Sequence, residues 1–344
     1  MRMYIGSAGI ILCLVIGLIA YPNFTKQQTA YDAEQVGLNE IVTIRFSHVV
    51  AENTPKGRTA LYFKKQVESK SNGKIRVELY PNGMLYNDET EMDALKTNQI
   101  QMIAPTYSKI STVVPSWEVL DLPFLFKDEQ QVQSILNSAI GKELLSKTKE
   151  EGLHGLGFWQ NGFKQMISNE RSIRHVSDFK GRSMRTMNSN ILLQQGMLLG
   201  ARTNAISFDE VNKKIDEEKI DVQENTLSNI FSKSFYKKEP YITLSNHGIL
   251  GYGVLMNESF WESLSETNQQ VITNAMNEAS QWNEKNAQAM NEADLKAMKQ
   301  YGTTIVTLSE KEKEEWKRTF IPLYDTFKKQ HQTDLLQQIQ RITK

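Results

Sequence analysis

The chain has 344 residues, and its 40 lysines and arginines balance 40 aspartates and glutamates to a formal net charge of zero. A nucleic-acid binder would carry a basic excess or a clustered basic face, and neither is present. The length exceeds one ordinary core, so two lobes are expected.

The opening stretch MRMYIGSAGIILCLVIGLIAYPNF sets Arg2 ahead of an uncharged apolar run from Tyr4 to Tyr21, the form of an export signal. Ala20 suits the last position before a cleavage site, whereas Leu18 does not suit the third-last. The run is about 18 residues, near the lower limit for crossing a bilayer. Residues 1–21 therefore read as a signal peptide or an N-terminal membrane anchor, and the polar residues 22–40 as a tether. Cys13 is the only cysteine, so the exported part has no disulfide, thiol nucleophile or thiolate metal site. Ile10, Ile11 and Leu12 are too bulky for a lipidation site at Cys13.

From Ile41 the pattern alternates in type. IVTIRFSHVV (41–50) has strand composition, 54–73 is helical up to Gly73, and KIRVELYPNG (74–83) is a strand stopped by a Pro-Asn-Gly turn. A short amphipathic helix (89–99) and a strand (100–107) follow. This order predicts a parallel α/β sheet. DLPFLF (121–126) reads as a packed connector, 127–152 as a helix pair, and LHGLGFWQNG (153–162) as a glycine-broken strand. The alternation then restarts: strands at KQMISN, GRSMRTM, ARTNAISF and IDVQEN are separated by helices at SNILLQQGMLLG and DEVNKKIDEEK. HGILGYGVLMN (247–257) is another strand. A helix of roughly 35 residues, about 50 Å long, then runs to Gly302 and is long enough to brace two lobes. YGTTIVTL is the last strand, and Ser309 with Glu312 forms a capping box for a C-terminal helix. The expected division is a first lobe over 41–161, completed by about 247–280. The second lobe covers 162–246, completed by part of 281–325, and 326–344 form a charged C-terminal helix.

Catalytic signals are thin. The five histidines, His48, His154, His175, His247 and His331, show no metal-ligand spacing. There is no nucleophile elbow or phosphate loop, and GYG at 251–253 is too little for a nucleotide motif. Neither an enzyme, a metal nor a cofactor is expected. In open α/β sheets, ligands sit at the carboxyl ends of the strands. Those ends carry Ser47, His48, Thr106, Tyr107, Trp159, Asn161, Lys164, Arg185, Gln223, Asn225 and His247, with Lys56 at a helix start. Arg185 is either a surface residue on an exposed strand or a fixed anion receptor whose planar fork fits a carboxylate. Taken alone, Lys56 and Lys164 read rather as solvated lysines and Trp159 and Phe208 as packing, while His48 and His247 read equally as satisfied core residues. Arg182 is left on the surface.

In order along the chain, FSHVVAENTPKG (46–57), FKKQVESKSNGKIRVELYPNG (63–83), DLPFLF (121–126), FWQNGFK (158–164), FKGRSMRTMNSN (179–190), GARTNAISFDEV (200–211), VQENTLSNIF (222–231) and SNHGILGYGVLMN (245–257) are similar to one family. The chain resembles the DctP-type substrate-binding proteins of tripartite ATP-independent periplasmic (TRAP) transporters over about 41–325, and within them the C4-dicarboxylate branch. The resemblance implies a two-lobed α/β fold of periplasmic-binding-protein type, with a ligand cleft between lobes and a long helix crossing both. It implies that Arg185 takes the family's near-invariant arginine position and pairs with a substrate carboxylate, with Asn225 near the same group. A second carboxylate needs a second cationic contact, for which Lys56, Lys164 and His48 are the candidates. In the sialic-acid branch an arginine stands at roughly the place of Lys164. Asn161, Trp159, His247 and Phe208 complete the candidate site. The segment VNKKIDEEK and Val222 depart from the family pattern, which puts partner contacts or closure in doubt. The implied partners are a small dicarboxylate and membrane transporter subunits, or alternatively the extracellular domain of a sensor kinase. A monomer is expected.

Overall fold

A computed structural model describes residues 41–331 and 334–343, so the leader and tether expected over 1–40 lie outside the described residues. In chain order the strands are β1 (Val42–Ser47), β2 (Ile75–Tyr80), β3 (Met102–Ile103), β4 (Leu153–Phe163), β5 (Gln165–Ser168), β6 (Ser183–Thr186), β7 (Arg202–Ala205), β8 (Val222–Asn225), β9 (Tyr241–Leu244), β10 (Ile249–Asn257) and β11 (Thr304–Thr307). They form two sheets, ordered β2-β1-β3-β10-β4 and β11-β9-β5-β8-β6-β7. The chain has the two-lobed α/β fold, one sheet to a lobe.

The sheets are mixed, and this corrects the expectation of parallel ones. β1 and β3 are parallel, as are β6 with β7 and β8, and β9 with β11. β10 runs against both β3 and β4, and β5 against both β8 and β9. The reason is that the chain passes from sheet to sheet without a helix between. Lys164 alone separates β4 from β5, and Ser245–Gly248 alone separate β9 from β10. A strand that enters a sheet by such a short link has no crossover helix to turn it parallel.

The strand expected over 100–107 shrinks to Met102–Ile103. Thr106 is an N-cap instead, its side chain accepting from Lys109 N, and it starts the helix Tyr107–Ser111. That helix packs on β10 at Gly251 and Gly253, where a Cβ would collide with Tyr107, Ile110 and Trp117. GYG is thus a packing motif.

The long helix spans Glu266–Tyr301, opened by the Ser265 cap and closed by Gly302 at φ 103°. Two asparagines on its inner face tie it to both lobes. Asn283 Nδ2 donates to Gln160 O (3.1 Å) and Thr59 Oγ1 (3.0 Å). Asn291 Nδ2 donates to Asn161 O (2.8 Å), while its Oδ1 accepts from Ser228 N (2.9 Å).

The Ser309–Glu312 capping box forms and begins the helix Glu310–Thr319. The single charged helix expected over 326–344 is replaced by the end of the helix Ile321–Gln330 and a separate helix Leu335–Thr343. Leu335, Leu336 and Ile339 form an apolar stripe that buries against helices Glu129–Leu136 and Ala139–Lys147.

Candidate ligand site

The carboxyl ends of β1, β6 and β8 converge on a small cavity of about 20 Å³ between the sheets. Val49, Val50, Asp88, Thr106, Leu250 and Tyr252 line it from the first lobe, and Arg185, Met187, Phe208, Asn225 and Asn229 from the second. Four of the residues picked from sequence therefore line the cavity directly: Thr106, Arg185, Asn225 and Phe208.

Arg185 sits on an interior strand, in register with Asn204 of β7 and Gln223 of β8, and is 1% exposed. The surface-arginine reading is excluded. Its Nε donates to Ile206 O at 2.9 Å, whereas Nη1 has no partner among the described residues. Burial pushes its pKa below the ordinary guanidinium value, with Asp88, Glu224 and Glu239 acting the other way. A buried guanidinium with donors to spare has the chemistry to receive an anion. Asn225 Oδ1 accepts from Thr226 N (3.0 Å) and Asn229 Nδ2 (2.9 Å), so what its amide can offer the cavity is the NH₂ donor.

Lys56 is fully buried at the start of the helix Pro55–Lys70. Its Nζ donates to Ala104 O at 2.9 Å and lies 3.9 Å from the ring centroid of the cavity-lining Tyr252. Burial lowers its pKa to about 8, against the raising influence of Glu91, Asp88 and Asp209. His48 packs edge-on to Phe46, with ring centroids 6.1 Å apart. Burial and then Lys56 push its pKa down to about 3, so it is a neutral ring and supplies no charge.

Lys164 and His247 are not available as cationic contacts. Lys164 Nζ is 2.7 Å from Glu224 Oε1, and His247 Nε2 is 2.8 Å from Glu224 Oε2. Gln195 Nε2 adds a bond of 2.9 Å to the same carboxylate. A carboxylate can only accept, so His247 carries its proton on Nε2 and its Nδ1 accepts from Ser245 Oγ at 2.7 Å. Burial opposes the Glu224 charge, but Lys164 and His247 outweigh it and hold the carboxyl well below the usual range. This cluster ties both sheet-to-sheet links to β8. Asn161 also serves the frame, its Nδ2 donating to Thr226 Oγ1 at 2.6 Å. Trp159 is fully buried, in register with Tyr252 and 5.8 Å from the Phe46 ring. Arg182 is 8% exposed rather than on the surface, and its Nη2 reaches Glu170 Oε2 at 3.0 Å.

Sequence reasoning missed Tyr252, Asp88, Asn229, Met187 and the buried Glu91. Tyr252 had a signal, as an aromatic between two glycines on an apolar strand. The others look like ordinary loop and helix residues. Asp88 and Asp209 meet across the cleft, where Asp209 Oδ2 accepts from Asp88 N at 3.0 Å.

Residues 46–330 match DctP, bacterial extracellular solute-binding protein, family 7. The C4-dicarboxylate-binding protein DctB of Bacillus subtilis is 39% identical over 338 residues, covering 98% of this chain and 96% of that protein. The C4-dicarboxylate-binding periplasmic protein DctP of Rhodobacter capsulatus is 38% identical over 290 residues, 84% of this chain and 87% of that one. Among solved structures, a TRAP periplasmic solute binding protein from Shewanella oneidensis with bound succinate superposes with a TM-score of 0.85 at 37% identity, covering 88% of this chain and 100% of that chain. One from Pseudomonas aeruginosa with bound L-malate gives a TM-score of 0.81 at 34% identity, covering 83% and 99%.

Proposed function

The chain belongs to the DctP family of bacterial extracellular solute-binding proteins, and on that premise we propose that it captures C4-dicarboxylates outside the cytoplasm and delivers them to a TRAP transporter in the membrane. The observation that carries this reading is Arg185, a buried guanidinium facing an inter-lobe cavity with Nη1 unpartnered among the described residues. Its fork takes one carboxylate in two parallel hydrogen bonds, and the Asn225 amide donates to the same group. Lys56, beside Tyr252 on the first lobe, attracts the other carboxylate. A diacid thus bridges a cation of one lobe to a cation of the other, and a monoacid does not.

The first lobe comprises 41–161 with 247–280, and the second 162–246 with part of 281–325. The hinge is formed by Lys164 and by residues 245–248. Closure is a population shift toward the state in which both ends of the ligand are bound. Presentation of the ligand to a sensor kinase draws no support from these relatives. Among the described residues no helix is long and apolar enough to cross a membrane. Mass measurement of the mature N terminus distinguishes cleavage after Ala20 from retention of residues 4–21.

The function is tested by thermal unfolding with succinate, fumarate and malate. At a hundredfold excess over Kd, ligand adds about 2.7 kcal/mol and raises Tm by a few degrees. An unchanged Tm with all three diacids overturns the proposal.

A further inference from the structure

One buried carboxyl beside the cleft has no part in the capture just described. Glu91 opens the short helix Glu91–Lys96, is 0% exposed, and has no hydrogen-bond partner for either carboxylate oxygen among the described residues. Lys56 supplies the strongest attraction acting on it, Lys109 a weaker one, and Asp88 and Asp209 repel it. Lys56 itself makes one hydrogen bond, to Ala104 O, and faces Glu91, Asp88, Asp209 and the neutral His48.

From this arrangement we infer that Glu91 is a proton-carrying positioning residue, and that a dicarboxylate is captured only when Glu91 is a neutral acid beside a charged Lys56. The inference rests on the function proposed above. A charged Glu91 and the incoming carboxylate would compete for one buried ammonium, and like charges brought together in low dielectric are costly. Protonation of Glu91 removes the competitor and leaves the ammonium to the ligand. Arrival of the dianion in turn favours the proton on both groups, so capture takes protons up.

The environment of the pair suits this role. Burial raises the Glu91 carboxyl to about 8 and lowers the Lys56 ammonium to about 8, so the two exchange protons in one range and titrate as a pair. Below that range the pair is doubly protonated, the form that binds. Above it either the ammonium is lost or the carboxylate opposes it, and affinity falls as pH rises. On the opposite lobe Glu239 is pushed up to about 8 by burial, with Gln223 and Arg185 acting against that, and contributes a proton in the same range. The Glu91 share is therefore read as a difference between variants.

The test is calorimetric titration of the full chain with succinate from pH 6 to pH 10, in buffers of different ionisation heat, for wild type and Glu91→Gln. Succinate is fully ionised above neutral pH, so protons taken up there go to the protein. The expected result is wild-type uptake that rises above pH 7.5. At pH 9 the expectation for Glu91→Gln is about one proton fewer and binding about tenfold tighter than wild type. Wild-type binding without proton uptake up to pH 9.5, or superimposable pH profiles for the two proteins, overturns the inference and leaves the function standing. Absence of succinate binding at every pH overturns the function itself. If Glu91→Gln does not fold, wild-type binding without proton uptake up to pH 9.5 still overturns the inference.

Discussion

Replacing Arg185 with methionine separates binding from stability. The guanidinium is buried, makes one hydrogen bond through Nε, and has no carboxylate within ion-pair distance among the described residues. In the unliganded chain it is a desolvated charge with donors unused, a state that costs stability. An apolar chain of similar length loses that one bond and sheds the desolvation cost. The ligand-free Tm of Arg185→Met should therefore equal or exceed that of wild type. In the complex the same change removes one partner of a buried charge-assisted pair, which costs roughly 2–5 kcal/mol. Kd for succinate should rise about 30-fold to a few thousandfold. Differential scanning fluorimetry with and without succinate, followed by calorimetry, reads both quantities. A variant that melts well below wild type yet still binds would refute the reasoning, because Arg185 would then be a structural residue.

The remaining predictions follow from the same geometry. Lys56→Met should weaken succinate more than butyrate, measured as a ratio of Kd values, and an equal loss for both removes the two-ended clamp. Gly248→Ala would bring a Cβ to 2.8 Å from Lys164 Cε, forcing the lysine off Glu224, so Tm should fall by a few degrees at a cost of about 1–3 kcal/mol. Glu224→Gln should cost roughly 3–5 kcal/mol at neutral pH, since it leaves Lys164 and His247 without their carboxylate. The Glu224 pKa is depressed in the folded state, so its stabilisation is present above the ordinary glutamate range and is lost as pH falls through the folded value. A urea-melt series from pH 6 to pH 2 should accordingly be flatter for Glu224→Gln than for wild type.

The alternation of helix and strand was legible because side-chain periodicity is local: the Ser265 cap, the apolar stripe after it and Gly302 mark both ends of the long helix. Strand direction was not legible, since nothing within β5 or β10 records that a neighbour runs the other way. Arg185 stood out as an always-charged residue in an apolar strand, and the fold buries it in the cavity wall. Lys164 and His247 looked like equivalent cations, and only the fold shows that one carboxylate occupies both. Glu224 lies 60 residues from Lys164 and 23 from His247, beyond the reach of any spacing rule. Glu91 was invisible for the same reason: a glutamate at a helix start normally faces water, and its burial follows from how the helix packs against β3 and β10.

A cleft that holds a diacid at both ends discriminates against a monoacid of the same length. Calorimetric titration of the wild-type chain at pH 7 with succinate and with butyrate tests it most directly. Single-site binding of succinate is expected, with butyrate bound at least tenfold more weakly. No heat with succinate under conditions where the chain is folded, or equal affinity for the two acids, would contradict it.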